Sequence, residues 1–217
     1  MTDARSDDVL KTAVLGAALR RAPDEGFTDK MLSGAGKDAG TGEEMLVHLF
    51  PQGPASLVEF FSEQSDAAMA RALAEKNLVE MKMRERIGAA VLARIDAIRP
   101  NKEAARRAAA FLLMPVNAPL GMKLLYQTVD TMWRAVGDTS TDFNFYTKRA
   151  ILAGVYSSTL MRWFNDAGED ESATHEFLAA RIENVMQFEK FKAEMRERTK
   201  DMPSFADVLK GFSAPKS

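Results

Sequence analysis

The stretch GFTDKMLSGAGKDAGTGEEMLVHLFP, Gly26 to Pro51, decides the fold. Its spacing predicts two short helices, Thr28–Ser33 and Thr41–Leu49, punctuated by Gly34-Ala35-Gly36. Thr41 with Glu44 three positions on has the pattern of a capping box. Upstream, a helix is expected over Ser6–Ala22. Ser6 is placed to cap it, and Asp7 and Asp8 suit its positive end. Val9, Ala13, Leu15, Ala17 and Leu19 offer an apolar stripe, and Pro23 and Gly26 close the segment. The head of the chain is therefore read as three short helices.

Working outward, strand-like alternation does not recur, while Ala, Leu, Met, Glu, Lys and Arg dominate. The chain reads as all-α. Pro51-Gln52-Gly53-Pro54 is a turn, followed by expected helices over Pro54–Glu80, Met81–Ile98, Lys102–Met114, Leu120–Val136, Thr141–Asn165 and Ser172–Lys200. Pro100, Pro115 and Pro119 mark boundaries, because a residue before proline avoids the helical region. Leu57, Phe60, Phe61, Met69 and Leu73 are expected on the inner side of the first long helix. The organisation read from this pattern is a degenerate helix-turn-helix region over residues 1–52, a helical body over 53–200, and a short amphipathic or flexible tail over 201–217.

Composition removes several function classes. The 217 residues contain no cysteine, which excludes disulfides, thiolate catalysis and Cys-ligated metal sites. His48 and His175 are the only histidines, and Glu-x-x-His does not occur, so the di-iron bundle signature is missing. His48, between Val47 and Leu49, is expected beside the small N-terminal core. No catalytic residue, metal or cofactor is assigned. The formal net charge of −2 lacks the basic excess of a nucleic-acid binder. Met1 to Asp8 carry three aspartates and no apolar run, so a cytoplasmic protein is expected, with peripheral contact to a membrane left open.

Two apolar features stand out. Leu112, Leu113, Met114, Leu125, Val129, Met132, Trp133, Leu152, Val155, Tyr156, Leu160 and Trp163 make the body rich in apolar side chains, which appear on more than one side of the Leu120–Val136 and Phe143–Phe164 helices. A helix apolar on several sides is buried, or shares its faces between a core and something else. Thirteen methionines suit irregular apolar space. A ligand pocket and a plain core with a dimer interface both fit. The second feature is Phe143, Phe145 and Tyr146 at a helix start. Neighbours differ by about 100° around a helix, so they cannot all face one core. An interface anchor and a packed helix corner both fit.

The order of three short helices before a longer helical body is similar to bacterial regulators, and Gly26–Pro51 resembles the helix-turn-helix of the TetR family. In that family the second motif helix enters the major groove. Here Glu43 and Glu44 stand at its start, where they would face phosphates. A TetR-like regulator with a hydrophobic effector is the alternative reading.

A more specific resemblance lies downstream. Ala97-Ile98-Arg99-Pro100, Pro115-Val116-Asn117-Ala118-Pro119, Val129-Asp130-Thr131-Met132-Trp133 and, above all, Ser140-Thr141-Asp142-Phe143-Asn144-Phe145-Tyr146-Thr147-Lys148-Arg149-Ala150 resemble the ubiquinone-biosynthesis accessory family known as coenzyme Q protein nine. Leu49-Phe50-Pro51-x-Gly53-Pro54, Leu152-Ala153-Gly154-Val155-Tyr156 and Phe177-Leu178-x-x-Arg181-Ile182-Glu183-x-Val185-Met186 continue it. The resemblance implies a TetR-like fold that no longer reads DNA. It implies binding of an isoprenoid lipid or ubiquinone precursor in the body, and its presentation to the di-iron demethoxyubiquinone hydroxylase. It nominates Asp142, Phe145, Tyr146 and Arg149 for partner contact. A homodimer through Phe143–Asn165 and Ser172–Lys200 is expected from the TetR-like layout.

Overall fold

The computed structural model describes the backbone of residues 2–139 and 143–199 and the side chains of residues 6–139 and 145–188. Every regular element among them is helical: α1 (Thr2–Glu25), α2 (Asp29–Asp38), α3 (Glu43–Leu49), α4 (Pro54–Ala74), α5 (Met83–Ile98), α6 (Lys102–Leu113), α7 (Ala118–Ala135), α8 (Phe143–Phe164) and α9 (Ser172–Thr199). The tail over 201–217 and Asp142 lie outside the described residues.

α1, α2 and α3 enclose a small core of Val14, Leu15, Ala18, Met31, Leu46, Leu49 and Phe50. Val9, expected in the α1 stripe, is instead exposed, because Val14, Leu15 and Ala18 define the buried side. Thr28 caps α2, its hydroxyl accepting from the Met31 amide at 3.1 Å. Gly34 and Gly36 do not punctuate the region, and α2 runs through both. Gly36 is there for close approach: a Cβ on it would lie 2.2 Å from Leu46 Cδ1 of α3. The helix ends at Asp38, and Gly40 beyond the Ala39 cap, with a φ of 67°, makes a left-handed turn. There the amide of Thr41 donates to the Gly36 carbonyl and that of Gly40 to the Lys37 carbonyl. The expected Thr41–Glu44 box does not form. Gly42 stands at the N-cap of α3, and the buried Thr41 hydroxyl has no hydrogen-bond partner among the described residues. His48 is also displaced from expectation: it is exposed and faces Asp7 at 3.3 Å, since Leu46 and Leu49 take the inward positions of the short helix.

In the body, α4 stops at Ala74, short of the expected Glu80. The connection to α5 is held by Arg86, which donates to the carbonyls of Val79 (3.0 Å), Met81 (2.9 Å) and Val136 (3.3 Å). Glu85 accepts from the Lys82 amide at 3.0 Å and starts α5. Leu57, Met69, Leu73, Ile95, Met132, Leu152 and Trp163 are among the large side chains sealed in the core. Burying such a side chain contributes roughly 1.5–3 kcal/mol. A polar cluster crosses this core. Arg94 on α5 donates to Asp66 of α4 at 2.6 Å, and Thr128 of α7 donates to the same carboxylate at 3.0 Å. Burial holds the Asp66 carboxyl above the usual range against the pull of Arg94.

The α8–α9 connection is fixed by Trp163, whose indole N–H donates to Glu171 at 2.7 Å. Asp166 accepts from both the amide and hydroxyl of Thr174, at 2.9 and 2.7 Å. Among the described residues no single helix is long and apolar enough to cross a membrane.

Candidate functional site

α5, α7, α8 and α9 do not close completely on one another. They leave a cavity of about 510 Å³, within the roughly 300–1,000 Å³ range of small-molecule sites. Ile87 of α5, Trp133 of α7 and Ile151, Leu152 and Val155 of α8 line it, with Ile182, Val185 and Met186 of α9. The sequence produces this wall locally. Ile151 and Val155 are one turn apart on α8, and Ile182 and Val185 are three apart on α9, so each set shares a face. Lys82, Arg84 and Lys148 also border the cavity. Lys148 is engaged with Asp138 at 2.9 Å, and its ammonium stands 5.4 Å from the Trp133 ring centre. The Trp133 indole N–H is buried, with no hydrogen-bond acceptor among the described residues. The site thus offers apolar walls with cationic side chains at its border. It suits an amphiphile with a long hydrocarbon part and an oxygen-bearing end.

The twelve residues expected to line a pocket fall into four groups. Trp133, Leu152 and Val155 line the large cavity. Leu112, Leu125, Tyr156 and Leu160 line a second, smaller cavity of about 140 Å³ between α4, α5, α6, α7 and α8. Val129, Met132 and Trp163 are sealed in the core. Leu113 and Met114 lie on the surface, 73% and 43% exposed, because α6 ends at Leu113 and the chain turns outward at Pro115. Ile87 and Ile182 were not anticipated. Their signal was present in the α5 and α9 periodicities, with Leu178 four positions before Ile182.

Beside the large cavity, the start of α8 forms an aromatic corner. Phe145 and Tyr146 meet edge-on, their ring centres 5.1 Å apart. Tyr146 is 67% exposed and Phe145 half-buried. Arg149 is buried, not available at the surface: its guanidinium stacks 3.3 Å from the Phe145 ring centre and pairs with Asp130 at 2.7 Å. It holds Phe145 against α7. The face of α3 that would meet a DNA groove presents Glu43, Glu44, Val47 and His48 to solvent. Among the described residues no group of three or more metal-ligating side chains converges.

Comparison with known proteins places this geometry in context. Residues 118–189, which span α7, α8 and much of α9, match the family profile described as COQ9. The chain is 33% identical over 195 residues to the ubiquinone biosynthesis protein COQ9, mitochondrial, of Rattus norvegicus, covering 85% of this chain and 61% of that protein. It is 31% identical over 191 residues to the Homo sapiens protein of the same description, covering 85% and 60%. The chain thus spans about three-fifths of the length of these relatives. Among solved structures, a TetR transcriptional regulator from Nitrosomonas europaea superposes with a TM-score of 0.66 at 16% identity, over 82% of this chain and 98% of that one. The fold is TetR-like and all-helical, as the order of helices predicted.

Proposed function

The chain is related to the COQ9 family of ubiquinone biosynthesis proteins, and from that premise we propose that it is a non-enzymatic lipid-binding protein that presents an isoprenoid quinone precursor to a membrane hydroxylase. The observation that carries this reading is the 510 Å³ apolar cavity bordered by cationic side chains. An isoprenoid tail has no polar group to satisfy, and its burial gains about 0.8 kcal/mol per CH₂. The ring at its end has oxygens, and Lys82 and Arg84, exposed and bordering the cavity, supply donors for them.

In this reading residues 1–52 are retained scaffold, and the body over 53–200 binds lipid and dimerises through α8 and α9. Met161 and Phe188, exposed on those two helices, suit such an interface. Tyr146 and Phe145 form the contact for the hydroxylase that consumes the lipid. The contact adjoins the cavity through Thr147 and Lys148, so the ligand leaves beside the docked partner. The protein works peripherally at the membrane where the lipid resides.

The test is organic extraction of the purified protein followed by mass spectrometry. Isoprenoid species are expected from the wild type and depleted in Val155→Trp, which fills the cavity. Protein that is lipid-free on repeated preparation, and that takes up no prenylated quinone in vitro, contradicts the proposal.

A further inference from the structure

One guanidinium, that of Arg86, ties the connection between α4 and α5 to the far end of α7. Its Nε donates to the Met81 carbonyl at 2.9 Å and its Nη2 to that of Val79 at 3.0 Å, both in the connection. Its Nη1 donates to the Val136 carbonyl at 3.3 Å, at the C-cap of α7. Carbonyls at a helix C-terminus lack intrahelical partners, and a cation is favoured beside them. The backbone hydrogen bonds of the connection itself are local. The amide of Lys76 donates to the Leu73 carbonyl, that of Leu78 to Lys76 and that of Met81 to Leu78, while Glu85 accepts from the Lys82 amide. Leu78 packs partly against the core. Glu75, Lys76, Asn77 and Glu80 are exposed, and Val79 is 84% exposed. A segment with local hydrogen bonds and few buried apolar contacts opens at low free energy unless something clamps it.

This connection leads into the rim of the large cavity. Lys82, Met83 and Arg84 line the cavity and are also exposed, so they stand at its mouth. Met186 of α9 lines it and is exposed as well. Ile87, Leu152 and Val155 line it and are buried, so they form its depth. The buried side of α5 begins at Ile87, one residue past Arg86. α5 is therefore packed in place from Ile87 onward, whereas the chain before it is held by Arg86. We propose that residues 75–84 are a lid on the mouth of the large cavity and that Arg86 is its latch. The three acceptors are neutral carbonyls, which water satisfies in the open state, so the latch releases without stranding a charge. Release widens the mouth on its α5 side and lets a long apolar molecule pass. The inference rests on the reading of this cavity as a ligand site, and it adds how the ligand enters and leaves.

The test has two arms, both on the full chain. Hydrogen–deuterium exchange followed by mass spectrometry reads the lid directly. Arg86→Gln has two side-chain donors, too few for three carbonyls, so amides of residues 75–84 should exchange about tenfold faster than in the wild type, with the interiors of α7 and α8 unchanged. Stopped-flow mixing with the fluorophore N-phenyl-1-naphthylamine reads passage through the mouth. Entry and exit should both quicken by about tenfold in Arg86→Gln, and affinity should change less than either rate. Leu78→Ala loosens the lid without touching the latch. It should move both readouts in the same direction, and it decides if Arg86→Gln does not fold. Unchanged exchange over 75–84, faster exchange spread evenly over all helices, probe rates that stay at the wild-type value, or wild-type protein that admits no probe overturns the proposal. Probe entry blocked by Val155→Trp reports on the cavity whatever its natural ligand. Protein that shows the lid behaviour but carries no isoprenoid therefore removes the lipid reading and keeps the lid. Unaltered probe rates in variants of a protein that does carry isoprenoid remove the lid alone.

Discussion

Arg149 of α8 lies 2.7 Å from Asp130 of α7 with both side chains nearly withdrawn from solvent, and the same guanidinium covers the Phe145 ring. One residue therefore fixes the angle between two cavity-lining helices and the position of the aromatic corner. Asp130 also pairs with Arg134 at 2.7 Å, so removing Arg149 strands no lone charge but loses charge-assisted hydrogen bonds, which contribute about 1.5–3 kcal/mol. Arg149→Ala is expected to lower stability by that order in urea unfolding. Tyr146→Ala is expected to leave stability within about 0.5 kcal/mol, as for surface substitutions generally, and to weaken hydroxylase binding in a pull-down.

The α2–α3 junction predicts a second outcome. A methyl on Gly36 would enter the space of the Leu46 side chain. Overpacking of this kind costs about 1–3 kcal/mol. Gly36→Ala should therefore destabilise the protein in thermal melts, even though alanine is the better helix former. Leu46→Ala in the same chain should recover part of the loss.

The acid limb of stability should carry the mark of Asp166. Hydrogen bonds from Thr174 and from the Gly168 amide hold its carboxyl below the usual carboxylate range. A depressed folded-state value contributes stability that is full above the unfolded value and lost as pH falls through the folded one. Melting temperature measured from pH 6 downward should fall on the acid side of about pH 4, and Asp166→Asn should flatten that decline.

The exposed face of α3 predicts failure at DNA. Two like charges about 4 Å apart in bulk water repel by about 1 kcal/mol, and Glu43 and Glu44 stand at the start of the helix that would enter the groove. Mobility-shift assays at low salt should show no sequence-specific complex. A specific complex would favour the regulator reading instead.

Much of the fold was legible because its determinants are local. Apolar periodicity and Pro100, Pro115 and Pro119 located α5 to α7 to within a few residues. What escaped was set by distant partners. Gly34 and Gly36 look like breakers until Leu46 is seen against Gly36. The early stop of α4 is accompanied by Arg86 reaching Val136, 50 positions away. Arg94 and Asp66 are 28 positions apart, and nothing in either neighbourhood announces the pair. The site was half legible for the same reason. Apolar surplus marked Leu152 and Val155, but could not separate cavity lining from the sealed core around Met132 and Trp163, or from the exposed corner at Leu113 and Met114.

The chain has two tryptophans, and they are placed as reporter and control: Trp133 lines the large cavity, while Trp163 is fully buried away from it. Titration of purified protein with a prenylated quinone, followed by tryptophan fluorescence, should give saturable quenching that persists in Trp163→Phe and disappears in Trp133→Phe. Quenching that is absent, fails to saturate, or survives in Trp133→Phe would contradict an isoprenoid site in this cavity.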